Sequence, residues 1–210
     1  EETLELLFGM AVARGEPLAL MFIDLDRFKG INDGWGHEAG DTVLRAMAAQ
    51  VRTALRRGDV LVRWGGEEFL VLLADSDVTG ARLVIERLRA LGLGERPDGT
   101  PLTASIGLAE RLADRVGDWP ELIELADRRM YMAKQGGRDR AILPGQLIGA
   151  IRFPDASKPS DFRGQELKPG IYTLRYGLQP DDGNHLGTSE IRDFLVGCPP
   201  KEDVDPKRVE

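Results

Sequence analysis

Only one cysteine, Cys198, occurs in the 210 residues, which excludes an intramolecular disulfide framework and a thiolate metal cage. Histidine is nearly as scarce, with two in the chain and no cluster of them, so an imidazole-rich zinc site is not expected either. No apolar run is long enough to span a bilayer, and the opening Glu1-Glu2-Thr3-Leu4 is not a signal peptide. These absences lead to the expectation of a cytoplasmic chain with no membrane segment. A positive surplus is missing too: 35 acidic residues face 28 basic ones, for a formal net charge of −7. Nonspecific attraction to a polyanion is therefore unfavourable, which argues against a nucleic-acid partner. Any affinity for phosphate must come from metal and from locally placed cations.

What the chain does have is carboxylates in an unusual arrangement. Arg63-Trp64-Gly65-Gly66-Glu67-Glu68-Phe69 sets two glycines and two adjacent glutamates between the apolar runs Val60–Val62 and Phe69–Leu73. Two glycines between strand-like runs supply the positive φ that a tight hairpin needs, so the segment reads as a β-hairpin with Glu67 and Glu68 at its tip. Paired like charges repel there unless a cation compensates them, although a solvated turn explains the same residues taken alone. Upstream, Leu18–Ile23 reads as a buried strand followed directly by Asp24-Leu25-Asp26. If that strand is core, one of these aspartates points inward, which is unfavourable without a cation. Together the four acids form a hard oxygen donor set that favours Mg²⁺ or Mn²⁺ over zinc.

The ordered motifs Asp24-Leu25-Asp26-Arg27-Phe28-Lys29, Ile31-Asn32-Asp33-Gly34-Trp35-Gly36-His37, Gly40-Asp41 and Gly65-Gly66-Glu67-Glu68-Phe69 resemble the GGDEF family of diguanylate cyclases. Thr103 to Gly107 and Ala126-Asp127 through Tyr131, Ala133, Lys134, Gly137 and Arg138 extend the likeness, which covers roughly residues 3–142. The resemblance implies an α/β (α+β) sandwich with a mostly antiparallel sheet, similar to adenylyl cyclase and polymerase palm domains. It implies synthesis of cyclic di-GMP from two GTP molecules by a homodimer. Asp24, Glu67 and Glu68 become the catalytic set, and Asp24, Glu67, Glu68 and the Leu25 carbonyl the metal ligands. Lys29, Lys134 and Arg138 fall where the family contacts phosphate. Asn32 and Asp41 fall where it reads the guanine edge, with Phe28 beside them; Asn offers donor and acceptor, and a carboxylate accepts from guanine N1 and N2. Arg56-Arg57-Gly58-Asp59 matches the family's RxxD inhibitory site, with Arg87 as a further contact for the product.

Each assignment has a structural competitor. Asp41 could cap a helix running through Val51 and Leu55; Asn32-Asp33-Gly34 makes a good turn; Lys134 and Arg138 flank glycines where a helix stops. His37 reads as a structural hydrogen-bonding residue, Trp35 and Phe28 as packing residues, and Arg56 to Asp59 as a solvated helix-to-strand turn.

The order along the first part reads helix, strand, helix, hairpin, helix, strand, helix. Ala81, Val84, Ile85 and Leu88 face inward from one helix, and Leu122, Leu125, Ala126, Met130 and Ala133 from another starting near Asp118. Residues 1–143 are expected to form the GGDEF domain, without the opening segment that usually joins the family to its dimerising partner, and so with weak activity at best. Residues 144–210 read as β and loop, with Gly170–Leu178 as a strand, and resemble the end of an uncharacterised, exported bacterial β-domain joined here out of context. Asp181-Asp182-Gly183-Asn184-His185 reads as a solvated turn rather than a calcium loop, and the charged tail from Lys201 as mobile. A rival reading makes the chain a non-catalytic effector that binds cyclic di-GMP or GTP.

Overall fold

A computed structural model of the protein describes residues 2–144, 147–153, 168, 170–178 and 193–198. The chain divides into two compact units, Glu1–Leu143 and Pro144–Glu210.

The first unit is organised around β1 (Leu18–Leu25), whose eight residues are all buried. Continuous apolar patterning is what a central strand covered on both faces requires. On one side β1 pairs antiparallel with β3 (Glu68–Ala74), which pairs antiparallel with β2 (Val60–Gly65). On the other it pairs antiparallel with β4 (Ala104–Glu110), beyond which β5 (Arg140–Ile142) runs parallel. The sheet order is β2-β3-β1-β4-β5.

Alternation along β1 sends its two sets of side chains to different helical layers. Ala19, Met21, Ile23 and Leu25 share a core with α2 (Phe28–Trp35), α3 (His37–Ala54) and α4 (Val78–Leu91). The opposite face is covered by α1 (Glu2–Arg14) and α5 (Trp119–Gln135). Asp24 and the residues paired with it across the sheet, Glu68 and Ser105, lie in register on the α5 side. Helix α5 can approach the sheet closely because β4 carries Gly107: a Cβ there would lie 1.9 Å from the Ala126 carbonyl oxygen and 2.3 Å from the Met130 nitrogen. Both are backbone atoms that cannot move aside singly, so only glycine fits.

Three local readings of the sequence change. The pairing continues beyond Ile23, to Asp24 against β3 and to Leu25 against β4, so Asp24 and Leu25 belong to β1 rather than following it. The helix expected to start at Asp41 starts at His37, after Gly36 breaks α2 from α3 at φ 83°, so Asp41 is an interior residue and not a cap. Trp35, expected to pack, is 48% exposed, whereas Phe28 is buried. The inward faces of α4 and α5 are as the spacing predicts, and Asp118 caps α5 by accepting from the Glu121 amide at 2.9 Å.

In the second unit, β6 (Leu147–Phe153), β7 (Gly170–Leu178) and β8 (Asp193–Cys198) form an antiparallel sheet in that order. The turn at Asp181–His185 and the tail from Lys201 lie outside the described residues.

Candidate active site

The hairpin tip is local chemistry made visible. Gly65 pairs with Glu68 across a two-residue turn, and Gly66 takes φ 49°, which a side chain would disfavour. Arg63 Nε donates to the Gly66 carbonyl at 2.9 Å and stiffens the turn. The Leu25 amide donates to the Glu67 carbonyl at 3.3 Å, which fastens the tip to the end of β1. Glu67 and Glu68 are thereby carried to Asp24.

Lys134, near the end of α5, reaches down to Asp24 and donates from Nζ to Oδ2 at 2.6 Å. Even so, burial raises the Asp24 pKa, opposed by the hydrogen bond and charge of Lys134 and assisted by the charges of Glu67 and Asp26. Burial likewise raises the Glu68 pKa, with the charges of Asp24 and Asp127 adding to it. Asp127 is raised in turn by burial, with Lys134 and Arg128 opposing. One ammonium thus serves several carboxylates that still hold their protons more tightly than free acids do, so the site can take further positive charge. Among the described residues no three acidic or imidazole groups form a ready-made metal cage. The donor set nonetheless suits a hard divalent cation, since Asp24, Glu67, Glu68 and the Leu25 carbonyl offer oxygen alone.

Asp26 behaves differently from Asp24. It accepts from Ser105 Oγ at 2.7 Å, Thr103 Oγ1 at 2.9 Å and the Asp139 amide at 3.0 Å, so its lone pairs are occupied by the protein itself. Only one aspartate of the pair is available to a ligand in this arrangement.

The structure also brings Asn32 and Asp41 to one corner. Gly40 makes room for Asn32: a Cβ at Gly40 would lie 2.0 Å from Asn32 Oδ1 and 3.1 Å from the Phe28 ring. Asn32 is therefore packed against α3 beside Asp41, with buried Phe28 behind it. Asp41 also lines a cleft of about 240 Å³ between α3 and the hairpin, together with Arg45, Arg52 and Arg63. Lys29 stands exposed in the first turn of α2. Arg138 follows the glycines that end α5, at φ 67°, with its amide bonded back to the Ala133 carbonyl at 3.0 Å.

At the other end of the hairpin, Arg56 and Asp59 are engaged with each other. The Arg56 amide donates to Asp59 Oδ2 at 2.9 Å and Nε to Oδ1 at 3.2 Å. The same guanidinium donates to the Ala74 carbonyl and, at 2.7 Å, to Ser76 Oγ, while Arg87 donates to the Ala54 carbonyl at 2.6 Å. A ligand for this triad would have to compete with those bonds.

Asp127 went without a role in the sequence, although its spacing held the clue: seven residues before Lys134, it lies two helical turns away on the same face of α5. With Glu68, Phe22, Trp64 and Trp119 it lines a cavity of about 360 Å³ beside the acids.

The family model of the diguanylate cyclase GGDEF domain matches residues 1–140. The chain belongs to the GGDEF family. Diguanylate cyclase DgcP of Pseudomonas aeruginosa is 42% identical over 131 residues, 60% of this chain and 19% of that protein. Diguanylate cyclase DosC of Escherichia coli K12 is 35% identical over 137 residues, 61% of this chain and 29% of that protein. This chain thus spans less than a third of these curated relatives. Among solved structures, the GGDEF domain of PA1120 (YfiN or TpbB) from Pseudomonas aeruginosa matches with a TM-score of 0.62 and 36% identity, over 67% of this chain and 89% of that one. The GGDEF domain of DgcB from Caulobacter crescentus, solved in complex with c-di-GMP, matches with a TM-score of 0.60 and 29% identity, over 67% of this chain and 85% of that one. GGDEF diguanylate cyclases generally use a divalent metal, consistent with the oxygen donors converging here.

Proposed function

We propose that the GGDEF unit condenses two GTP molecules into cyclic di-GMP, each domain of a homodimer presenting one nucleotide to the other. In each half-reaction a 3′-hydroxyl oxygen bonds to the other nucleotide's α-phosphorus, the bond to the bridging oxygen breaks, and pyrophosphate leaves with its electron pair. The observation that carries this reading is the cluster at the hairpin tip, where Asp24, bonded to Lys134, is joined by Glu67 and Glu68, whose charges both bear on it. A divalent cation, Mg²⁺ or Mn²⁺, held by Asp24, Glu67, Glu68 and the Leu25 carbonyl, supplies the charge compensation that phosphoryl transfer needs. Glu68, with its raised pKa and no hydrogen-bond partner among the described residues, is suited to accept the hydroxyl proton. Lys134 holds Asp24 in place and stays close enough to contact phosphate, aided by Lys29 and Arg138. Asn32 and Asp41 read the guanine edge, and Phe28 forms the wall that keeps Asn32 in position.

Incubating the protein with GTP and Mg²⁺ and assaying cyclic di-GMP by mass spectrometry tests the reading. We expect Glu68→Ala to lose at least about a hundredfold in turnover, the lower range for a lost proton-transfer group. Equal product from the two proteins would reject the role given to Glu68.

We further propose feedback by the product at Arg56, Asp59 and Arg87, supported by the pairing of Arg56 with Asp59 and by the c-di-GMP complex of the related DgcB domain. Guanidinium forks suit phosphate and the guanine Hoogsteen edge. Calorimetry with cyclic di-GMP should show binding that Arg56→Ala weakens by tenfold or more, on the order of one charged hydrogen bond. Unchanged affinity would remove the assignment.

A further inference from the structure

The cleft between α3 and the hairpin holds charges that the fold does not use. Asp41, Arg45 and Arg52 line it from α3, and Arg63 reaches the same space of about 240 Å³ from β2. Asp41 and Arg45 are four residues apart, the spacing at which a helix ordinarily pairs opposite charges. No ion pair joins them, and neither the Arg45 nor the Arg52 guanidinium bonds to any described residue. Arg63 differs, since its Nε is committed to the Gly66 carbonyl at 2.9 Å. An acceptor and a donor fork thus stand one helical turn apart on the wall of one cleft, both without a protein partner.

The rest of the lining is largely apolar, with Leu44 and Phe69 buried and Leu61 partly so. A volume of about 240 Å³ falls below the ~300–1,000 Å³ of pockets that enclose a whole drug-sized ligand, so the cleft takes a part of a ligand. Its chemistry describes that part: a flat apolar body with donors on one edge and acceptors on the next. Guanine has that pattern. Its N1 and N2 carry hydrogens that a carboxylate accepts, while O6 and N7 are both acceptors that a guanidinium fork meets as a pair.

Resting on the guanine reading given to Asp41, we infer that Arg45 is a second base-reading residue, donating to O6 and N7 while Asp41 accepts from N1 and N2. The two side chains then hold adjacent edges of one base, and the ion pair absent from the fold is replaced by bonds to the ligand. Adenine fails on both edges: it sets an amine donor against Arg45 and an unprotonated N1 against Asp41. Arg52 lies seven residues beyond Arg45, about 10 Å along the helix axis, and adds charge to the cleft without a place on either edge.

The test uses the full chain and diphosphates, which have no pyrophosphate to lose and so bind without turnover: GDP, 7-deaza-GDP, which lacks the N7 acceptor, and IDP, which lacks the N2 amine. By calorimetry, the wild type should bind 7-deaza-GDP about tenfold more weakly than GDP, the loss of one charge-assisted hydrogen bond. Arg45→Met should weaken GDP by about tenfold or more and bring 7-deaza-GDP level with it, while the ratio of GDP to IDP affinity stays unchanged. Arg45→Lys should recover part of the loss, and Arg52→Met should bind GDP within about threefold of the wild type. Because the Arg45 guanidinium has no partner in the fold, Arg45→Met should melt with the wild type. If that variant does not fold, equal affinity of the wild type for GDP and 7-deaza-GDP still refutes the inference. Wild-type GDP affinity in Arg45→Met would overturn it, as would an equal loss for GDP and 7-deaza-GDP or the same loss from Arg52→Met. Should the wild type make no cyclic di-GMP yet discriminate GDP from 7-deaza-GDP through Arg45, the cyclase reading fails while the base reading stands.

Discussion

Helix α5 carries two ion pairs that look alike in outline and differ in how completely they are satisfied. In its middle, Arg129 meets Asp114 through two bonds of 2.7 Å, with side chains 1% and 4% exposed, and a further 2.6 Å bond runs to the Leu108 carbonyl. Asp114 also accepts from the Glu110 amide, while Glu110 itself holds the Leu112 and Ala113 amides. Near the helix end, Lys134 meets Asp24 through one bond, with the lysine 29% exposed and further carboxylates close by. The first pair matches its charges and closes a loop onto the sheet; the second leaves negative charge in excess and open to solvent. Structure and chemistry share one helix, and the balance of charge tells them apart.

The sharpest way to break this contrast is to remove one member of the buried pair. Arg129→Ala leaves Asp114 charged and buried, which costs about 3–5 kcal/mol. Urea denaturation should show that loss. Arg129→Ala retaining wild-type stability would mean that the pair is not the structural one.

That pair was not legible in the sequence, and the reason is distance along the chain. Arg129 sits in Asp127-Arg128-Arg129, which reads as a solvated helical face, and its partner lies 15 residues away in a loop without regular pattern. The anchoring of Arg96 to the Asp26 carbonyl spans 70 residues and was equally hidden. By contrast, the hairpin, the inward faces of α4 and α5 and the start of α5 near Asp118 depend on neighbours within a few residues, and local pattern was enough to predict them. Asp41 shows the intermediate case: its residue type suited a cap, but Gly36 starts the helix one turn earlier and releases its carboxylate toward the cleft.

A smaller effect is expected where packing and recognition meet. Gly40→Ala would press a methyl group into Asn32 Oδ1, and the flexible amide is the part that can move. If Asn32 reads the base as proposed, displacing it removes about one hydrogen bond, so KM for GTP should rise about tenfold with a smaller change in kcat. Discrimination against ATP should fall in step. If Gly40→Ala keeps wild-type KM and selectivity, Asn32 is not part of the guanine site.

The smallest effect concerns stability, and its sign separates the two ion pairs most directly. Glu68 has a folded pKa raised above the ordinary 4.5, first by burial and then by Asp24 and Asp127. A raised carboxylate favours the folded state when protonated, so its contribution is complete below the unfolded value and is lost as pH rises through the folded one. Without metal, Glu68→Gln should therefore melt about 2 °C above the wild type at pH 7, a change of under about 1 kcal/mol for a domain of this size, and level with it near pH 4. Mg²⁺ should raise the melting temperature of the wild type more than that of the variant, because the cation offsets the repulsion that the glutamine has already removed. Differential scanning calorimetry at the two pH values, with and without Mg²⁺, reads all four states. A Glu68→Gln protein less stable than the wild type at pH 7 without metal would mean that Glu68 is as well compensated as Asp114, and the distinction between the middle of α5 and its end would be lost.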